Sequence, residues 1–590
     1  MADNHSSAHG LLPKGDKAYK MLVAAVCIGA AALGLRVVGL TLLPHHDEHH
    51  VVNVALGFGS GDLNPHQFWY GTLMMYLVFI IYGMMFVFLR LTGAVGSVDD
   101  FAVSFFQDPI PFYTAARIVS VAAGLGTVAL VYLMARRAAG KNAGLVAAGL
   151  AGVIPALVVR NRVALPDSLL VFFVAACLLS LQSVAETGSL KASAKAGLFY
   201  GLSLATKILG GLLIVPIILA HFLASRSKTL QGRSPLAGIG LALLFMALGF
   251  FVGCPFGVID YKKFFADLFV FQLSYNLAAG KSAWEIIAAM GRSLCWENML
   301  LPSGCALGLL GAVVLLKKRI AHGVIFVSFT AAFVAFLAFQ GRFYSHWLLP
   351  VFPAILVMLG VGFGWIADSL KSGCKRVWVM VVLAALIIIP PGLQTAGELR
   401  LLLAKPDPRL MAKQWVESHV PPGSVILMDG GVNVLPPLME SEECLQESLV
   451  AVEKQPPSGF YKHLGEYLHY RMKAAGRYTG PTYWLLRRRR EWWKAEEDKS
   501  TPNAPTFTLH EDQRRDLEWY LEQGAEYVII LGHIRDSFVT SKGRERWPAE
   551  WEFYSGLEKS AKAVATFCGE TLGGPMSIVI YRVEDISRDS

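Results

Sequence analysis

The sequence predicts a polytopic α-helical membrane protein: about eleven spans, juxtamembrane helices in the first outer loop, and an extracytoplasmic α/β domain after the last span. Three observations carry this. Apolar residues make up 54% of the 590 and charged residues 16%, against roughly 25% charged in ordinary soluble domains. Apolar runs of span length recur from residue 20 to residue 395. Beyond 395 the pattern changes to amphipathic helices alternating with short apolar strands, the mark of a small α/β unit.

The spans are set by length, since a bilayer core takes about 20 apolar residues per helix. They fall at 20–43, 113–136, 142–160, 167–184, 193–206, 209–225, 235–257, 298–316, 320–339, 347–368 and 377–395. The run 193–225 is divided because Lys207 and Gly210–Gly211 interrupt it. No small-residue cleavage site follows the first run, so it reads as a retained span rather than a signal peptide. Residues 1–19 then form a cytoplasmic tail, 20–395 the membrane domain with 44–112 as its first outer loop, and 396–590 the outer domain.

Orientation follows from Lys and Arg. Basic clusters stand at Lys14–Lys20, Arg136–Lys141, Lys191–Lys195, Arg226–Lys228, Lys317–Arg319 and Lys371–Arg376. One topology puts all of them in the cytoplasm, as the positive-inside rule asks. The net charge of +9 belongs to these clusters, not to a nucleic-acid surface. The same topology leaves residues 44–112 and everything after 395 outside. It also requires the apolar segment 68–92 to lie at the outer interface, or to dip in and return, where Trp69, Tyr70, Tyr76 and Tyr82 fit; the alternative, an ordinary span, requires a further crossing within 93–112, a stretch that is polar and broken by proline.

In the tail, "VPPGSVILMDG", "AEYVIILGH" and "MSIVIYRV" read as strands. The polar stretch 436–515 reads as loops with short helices. "RRRR" at 487–490, followed by Glu491-Trp492-Trp493, suits either anionic headgroups or a solvated basic face. The eight cysteines have no CxxC spacing and hence no zinc or redox motif. Cys444 and Cys568 lie in the tail and would be free to pair outside the cytoplasm.

Candidate chemistry gathers on the outer face. "HHDEHH" fills positions 45–50, just past the first span. Asp47 and Glu48 lie there, Asp62 lies in the same loop, and Asp167 lies at the mouth of another span. Charges near a bilayer centre are costly, so they mark boundaries or protein-lined cavities. Carboxylates can take a proton from a hydroxyl or hold a metal. Arg160, Arg162, Lys207, Arg342 and His346 fall on the same side, and such cations suit a phosphate. Each has a duller reading: Lys207 or Arg342 can snorkel, Asp167 can cap its helix, and Asp62 suits a turn. Convergence on one face favours a site.

The order "GDLNPHQFWYGTLMMYL", "ARIVSVAAGLGTVALVYLMARRAAGKNAGLVAAGL", "RNRVALPDSLLVFF" and "GRFYSHWLLPVFPAILVMLG" after the Asp-Glu pair resembles the polyprenyl-phosphate-sugar glycosyltransferases of the GT-C type. Protein O-mannosyltransferases and lipid A aminoarabinose transferases are the families it is most similar to. The resemblance implies that Asp47 is the first-loop catalytic aspartate with Glu48 beside it, and that Asp167 is the second acidic position. It matches Lys207 and Arg342, more loosely, to the donor phosphate or the site rim. Two departures stand out: Tyr70-Gly71-Thr72-Leu73 replaces a proline-rich segment, and four histidines surround Asp47–Glu48.

The resemblance implies an inverting transfer of sugar from a polyprenyl phosphate to an acceptor hydroxyl, with no nucleotide required. The acceptor is a protein, a glycan or a lipid. No cofactor is required; a divalent metal on Asp47, His46 and His50 is the alternative, since His46-Asp47-x-x-His50 mimics a zinc-binding spacing. A lipid or glycan transporter, or a relative that only binds the lipid, are the rival classes. A transporter would be expected to show paired repeats, and none is evident.

Overall fold

The computed structural model describes residues 14–226, 234–271, 281–370, 373–431, 433–455, 459–488 and 515–584. Among these, nine helices are long and apolar enough to cross a membrane. The protein is a multi-pass membrane protein. Each of the eleven predicted spans falls on helix, but three are short or broken. In the first, Lys14–Val37, the apolar part is only Leu22–Val37. The second breaks at Ile154, giving Lys141–Val153 and Pro155–Arg160, because a residue before proline disfavours helical geometry. The third, Leu190–Leu204, is 15 residues long. The division of 193–225 falls at Lys207, which is extended between Leu190–Leu204 and the tight turn Ile208–Leu213 that leads into Ile214–Arg226.

Small residues let these helices touch. A Cβ on Gly311 would lie 1.8 Å from the Met358 carbonyl, and one on Gly362 would lie 2.2 Å from that of Leu307. Leu301–Lys318 and Phe352–Ser369 thus pack backbone to backbone, the usual means of association where the hydrophobic effect between helices is absent. At one end of the bundle Glu186 gathers Arg137 and His322. Helix Ile110–Ala139 has 30 residues, about 45 Å of rise, so its Arg117 stands far from that end.

Leu73–Leu91 is one continuous helix of 19 residues. Its contacts locate it. Before it, Gly71 N–H donates to Thr206 O at 3.2 Å. From its middle, Tyr82 donates to Phe112 O at the start of Ile110–Ala139. Beyond it, Asp99 accepts from Tyr470 and Lys473 of the tail at 2.9 and 2.8 Å, and Asp100 accepts from Arg477. The N-terminal side of Leu73–Leu91 thus packs on the Lys207 turn and its middle on the start of Ile110–Ala139, while the next helix meets the tail domain; by length and composition Leu73–Leu91 is itself one of the nine candidate spans. Helix Val98–Gln107, capped by Ser97, completes this layer.

Helix Cys374–Ala404 leads into the tail domain. Its strands are β1 (Val425–Asp429), β2 (Met439–Glu440), β3 (Thr482–Arg488), β4 (Tyr527–Leu531), β5 (Ala561–Thr571) and β6 (Gly574–Val583). They form one sheet in the order β2-β3-β1-β4-β6-β5. The first four are parallel, and β4-β6-β5 is antiparallel. Apolar clusters cover both faces, one built around Ile426, Met428 and Ile529, the other around Leu427, Val528 and Ile530.

Two expectations for the tail are corrected. The stretch 436–515, expected to be loops with short helices, contains strand β3 and the helices Glu442–Glu453 and Gly459–Gly476. Cys444 and Cys568 do not pair. Cys444 lies beside β3, its thiol 3.8 Å from Leu485 O, and Cys568 is on β5. At about 4.8 Å per strand step, four steps separate β3 from β5, far beyond disulfide reach. Residues 489–493, the rest of the basic and tryptophan stretch, lie outside the described residues.

Candidate active site

The two acidic neighbours at 47 and 48 face different surroundings. Glu48 is fully buried. Its Oε1 accepts from Arg117 Nε at 2.8 Å and from Ala164 N at 2.6 Å; its Oε2 accepts from Arg117 Nη2 at 2.6 Å and from His45 N at 2.7 Å. Four donors fill the carboxylate, so Glu48, expected beside the base, braces the framework instead. Arg117 uses its remaining nitrogen on Leu40 O and Leu42 O. The pair folds the loop after the first span. Through Ala164 it also ties that loop to the mouth that carries Asp167.

Arg162, expected on the donor phosphate, belongs to the framework as well. It is 2% exposed, and its Nε donates to Val38 O at 2.7 Å. Its Nη2 lies 2.6 Å from where a Cβ on Gly39 would sit, at φ +74°, so that turn requires glycine. Arg36 does the same work deeper down, donating to Asn161 Oδ1, Ala32 O, Gly152 O and Ala151 O. Sequence reasoning passed over Arg36 and Arg117; the signal was a charge inside an apolar run.

Asp47 remains open. Its side chain is 38% exposed, and His46 Nε2 stands 3.5 Å from its Oδ2. Nearby, Asp167 Oδ1 accepts from Lys207 Nζ at 3.0 Å. Lys207 lies 5.4 Å from the Tyr70 ring centre. Arg160 Nη2 meets His346 Nδ1 at 3.0 Å. Tyr70 lies within electrostatic reach of Asp47, Asp167 and Arg160. Burial pushes its phenol well up, the charges of Asp47 and Asp167 push it further, and Arg160 opposes them. His45 is held down to about 2, by burial first, then by His46, Arg160 and His346, with Asp167 opposing. Arg342 stays on the rim, with Nη1 3.3 Å from Tyr344 Oη. Asp62 pairs with His66 at 2.9 Å and forms a turn by accepting from Asn64 N.

The metal set differs from the expected one. The ligand atoms of His45, His46 and Asp47 all lie within 4.8 Å of one another. His50 turns away, against His49 and Trp69, with ring centres 3.9 and 5.7 Å apart. His45 Nδ1 accepts from Asp47 N, so in the neutral ring the proton sits on Nε2, and His45 would take a metal only through Nδ1 with that bond given up. Two imidazoles and a carboxylate suit zinc or another borderline cation.

The Gly71 departure has a steric cause. A Cβ there would lie 2.1 Å from Ala205 O, and the Gly71 N–H bond to Thr206 O excludes proline. This contact holds Tyr70 beside the Lys207 turn. The tail domain completes the enclosure. Arg409, held by Asp407, donates to Pro44 O at 2.7 Å, and Asn433 Nδ2 reaches His45 O and Tyr113 Oη. The β5–β6 turn abuts the same loop: a Cβ on Gly573 would lie 3.2 Å from His46 Nδ1.

A family model described as dolichyl-phosphate-mannose-protein mannosyltransferase matches residues 113–250, the part that carries Arg160, Asp167 and Lys207. In shape the chain is similar to the oligosaccharyltransferase AglB of Archaeoglobus fulgidus, solved with an inhibitory peptide and a dolichol-phosphate. Identity is 14%, coverage 97% of this chain and 75% of that one, and the TM-score 0.52. It is also similar to ArnT of Cupriavidus metallidurans bound to undecaprenyl phosphate, with identity 12%, coverage 96% and 98%, and a TM-score of 0.50. The chain shares the fold of these two structures. No curated protein matches it in sequence. The likeness to the solved structures is thus one of fold; Asp47 lies ahead of the segment matched by the family model, while Arg160, Asp167 and Lys207 lie within it.

Proposed function

We propose that the protein transfers a sugar from a polyprenyl-phosphate donor to an acceptor hydroxyl on the extracytoplasmic side of the membrane. The observation that carries this is the convergence of an open Asp47 with the Asp167–Lys207 and Arg160–His346 pairs around Tyr70. Asp47 is the base: its carboxylate takes the proton of the acceptor hydroxyl as the oxygen attacks the anomeric carbon. The bond from that carbon to the phosphate oxygen breaks, and its electron pair leaves with the phosphate. Attack opposite the leaving group inverts the centre. Lys207 and Arg160 hold the charge that grows on the phosphate. Asp167 fixes Lys207 in place.

His45, His46 and Asp47 would hold a divalent ion, which would supply a Lewis acid at this mouth. The outward orientation is the one that lets the basic helix ends lie in the cytoplasm, as the positive-inside rule asks. The acceptor, whether protein, glycan or lipid, enters beneath the tail domain. Reconstituted vesicles supplied with a radiolabelled polyprenyl-phosphate sugar and cell-envelope acceptor fractions test the reading. Label appearing on the acceptor supports it. Label that merely crosses the bilayer, or stays bound to the protein without transfer, overturns it in favour of a transporter or a lipid-binding relative.

A further inference from the structure

Cys295 and Cys305 bring their sulfur atoms to 3.4 Å. Cys295 sits in the wide turn Ser293–Glu297, and Cys305 sits near the start of the span Leu301–Lys318. Among the cysteines whose side chains are described, no other two are in contact. Both are half-buried, and a disulfide would bring the sulfurs from 3.4 Å to about 2.05 Å. The chain between them is held in an unfavourable shape. Met299 and Leu301 have φ of +48° and +57°, two of only four non-glycine residues with positive φ among those described. Such geometry persists only where the surroundings enforce it.

The segment also bears on the site. Glu297 Oε2 accepts from Ser345 Oγ at 2.6 Å, and Gln394 donates to Glu297 O. Ser345 precedes His346, the partner of Arg160. Asn298 Oδ1 accepts from Ala156 N at 2.9 Å, on the short helix that ends at Arg160.

We propose that Cys295 and Cys305 are joined by a disulfide that pins this turn to the span and so steadies the Arg160–His346 side of the site. Each thiol gives up one proton and one electron. The two electrons pass to a disulfide-bearing oxidoreductase, whose own disulfide becomes two thiols. The proposal rests on the outward orientation given above, since such bonds persist in oxidising compartments, and it is independent of the transfer chemistry.

The test uses membranes carrying the full chain, denatured in the presence of N-ethylmaleimide, then reduced and labelled with a second, isotopically distinct maleimide before peptide mass spectrometry. Cys295 and Cys305 are expected to carry the second label and the other cysteines the first. The unreduced digest is expected to contain one linked peptide pair, and Cys295→Ser is expected to move Cys305 to the first label. First label on both residues in the unaltered protein overturns the bond, as does either residue linked to a different cysteine. Free thiols together with sugar transfer sink only this proposal; the bond without transfer sinks only the transferase reading.

Discussion

Asp47 and Glu48 are adjacent in sequence and opposite in use. Glu48 accepts four hydrogen bonds in full burial, while Asp47 is more than a third exposed. The cations divide the same way. Arg36, Arg117 and Arg162 point at backbone carbonyls and fixed side chains; Lys207 lies 5.4 Å from the Tyr70 ring centre, and Arg160 and the carboxylates act on the same phenol. A buried charge whose hydrogen bonds run to the fold's own groups is framework, and an exposed one such as Asp47 is available to substrate. Residue type alone does not separate the two.

The largest expected effect breaks the framework half. Removing one partner of a buried ion pair costs about 3–5 kcal/mol, so Glu48→Gln and Arg117→Met should each lower the melting temperature steeply in detergent. The double variant should lose less than the sum of the two. On the open half, Lys207→Met should lower the transfer rate by about 10²-fold, the scale seen when one donor to a developing anion is removed, and Lys207→Arg should recover part of it.

The histidines give a smaller, graded effect. Burial holds His50 down to about 4 and His49 to about 3, and His45 lies lower still, all below the unfolded value of about 6.5. Below that value the unfolded chain binds protons that the folded chain refuses. Stability is therefore complete above about pH 6.5 and falls as the pH drops toward 4, by at most about 1.4 kcal/mol per pH unit for each histidine. Melting curves across that window check the sign. The smallest effect belongs to the rim: Arg342→Ala should change stability by no more than about 0.5 kcal/mol and should slow transfer less than Lys207→Met.

Much of the molecule was legible in the sequence. Span length and hydropathy fix the bundle because the bilayer makes one demand of every crossing helix. The charge rule puts 68–92 at an interface, while Leu73–Leu91 is also long and apolar enough to cross; Gly71 before it contacts the Lys207 turn, and Asp99 and Asp100 on the next helix contact the tail domain. Strand β3 was hidden because "TYWLLRR" runs into further arginines. Strand β5 was hidden because it is a sheet edge with largely exposed residues, and so lacks an apolar run. The roles of Glu48 and Arg162 were out of reach because their partners are 69 and 124 positions away. The choice of His45 over His50 in the metal cluster turned on which ring faces Trp69, a packing choice that helical spacing does not encode.

The contrast between neighbours is tested most directly by Asp47→Asn, purified alongside the unaltered protein and assayed with a labelled polyprenyl-phosphate sugar. An unchanged melting temperature, retained donor binding and a rate lowered by about 10²–10⁴-fold are predicted. Transfer at the original rate by a folded Asp47→Asn protein would contradict the account.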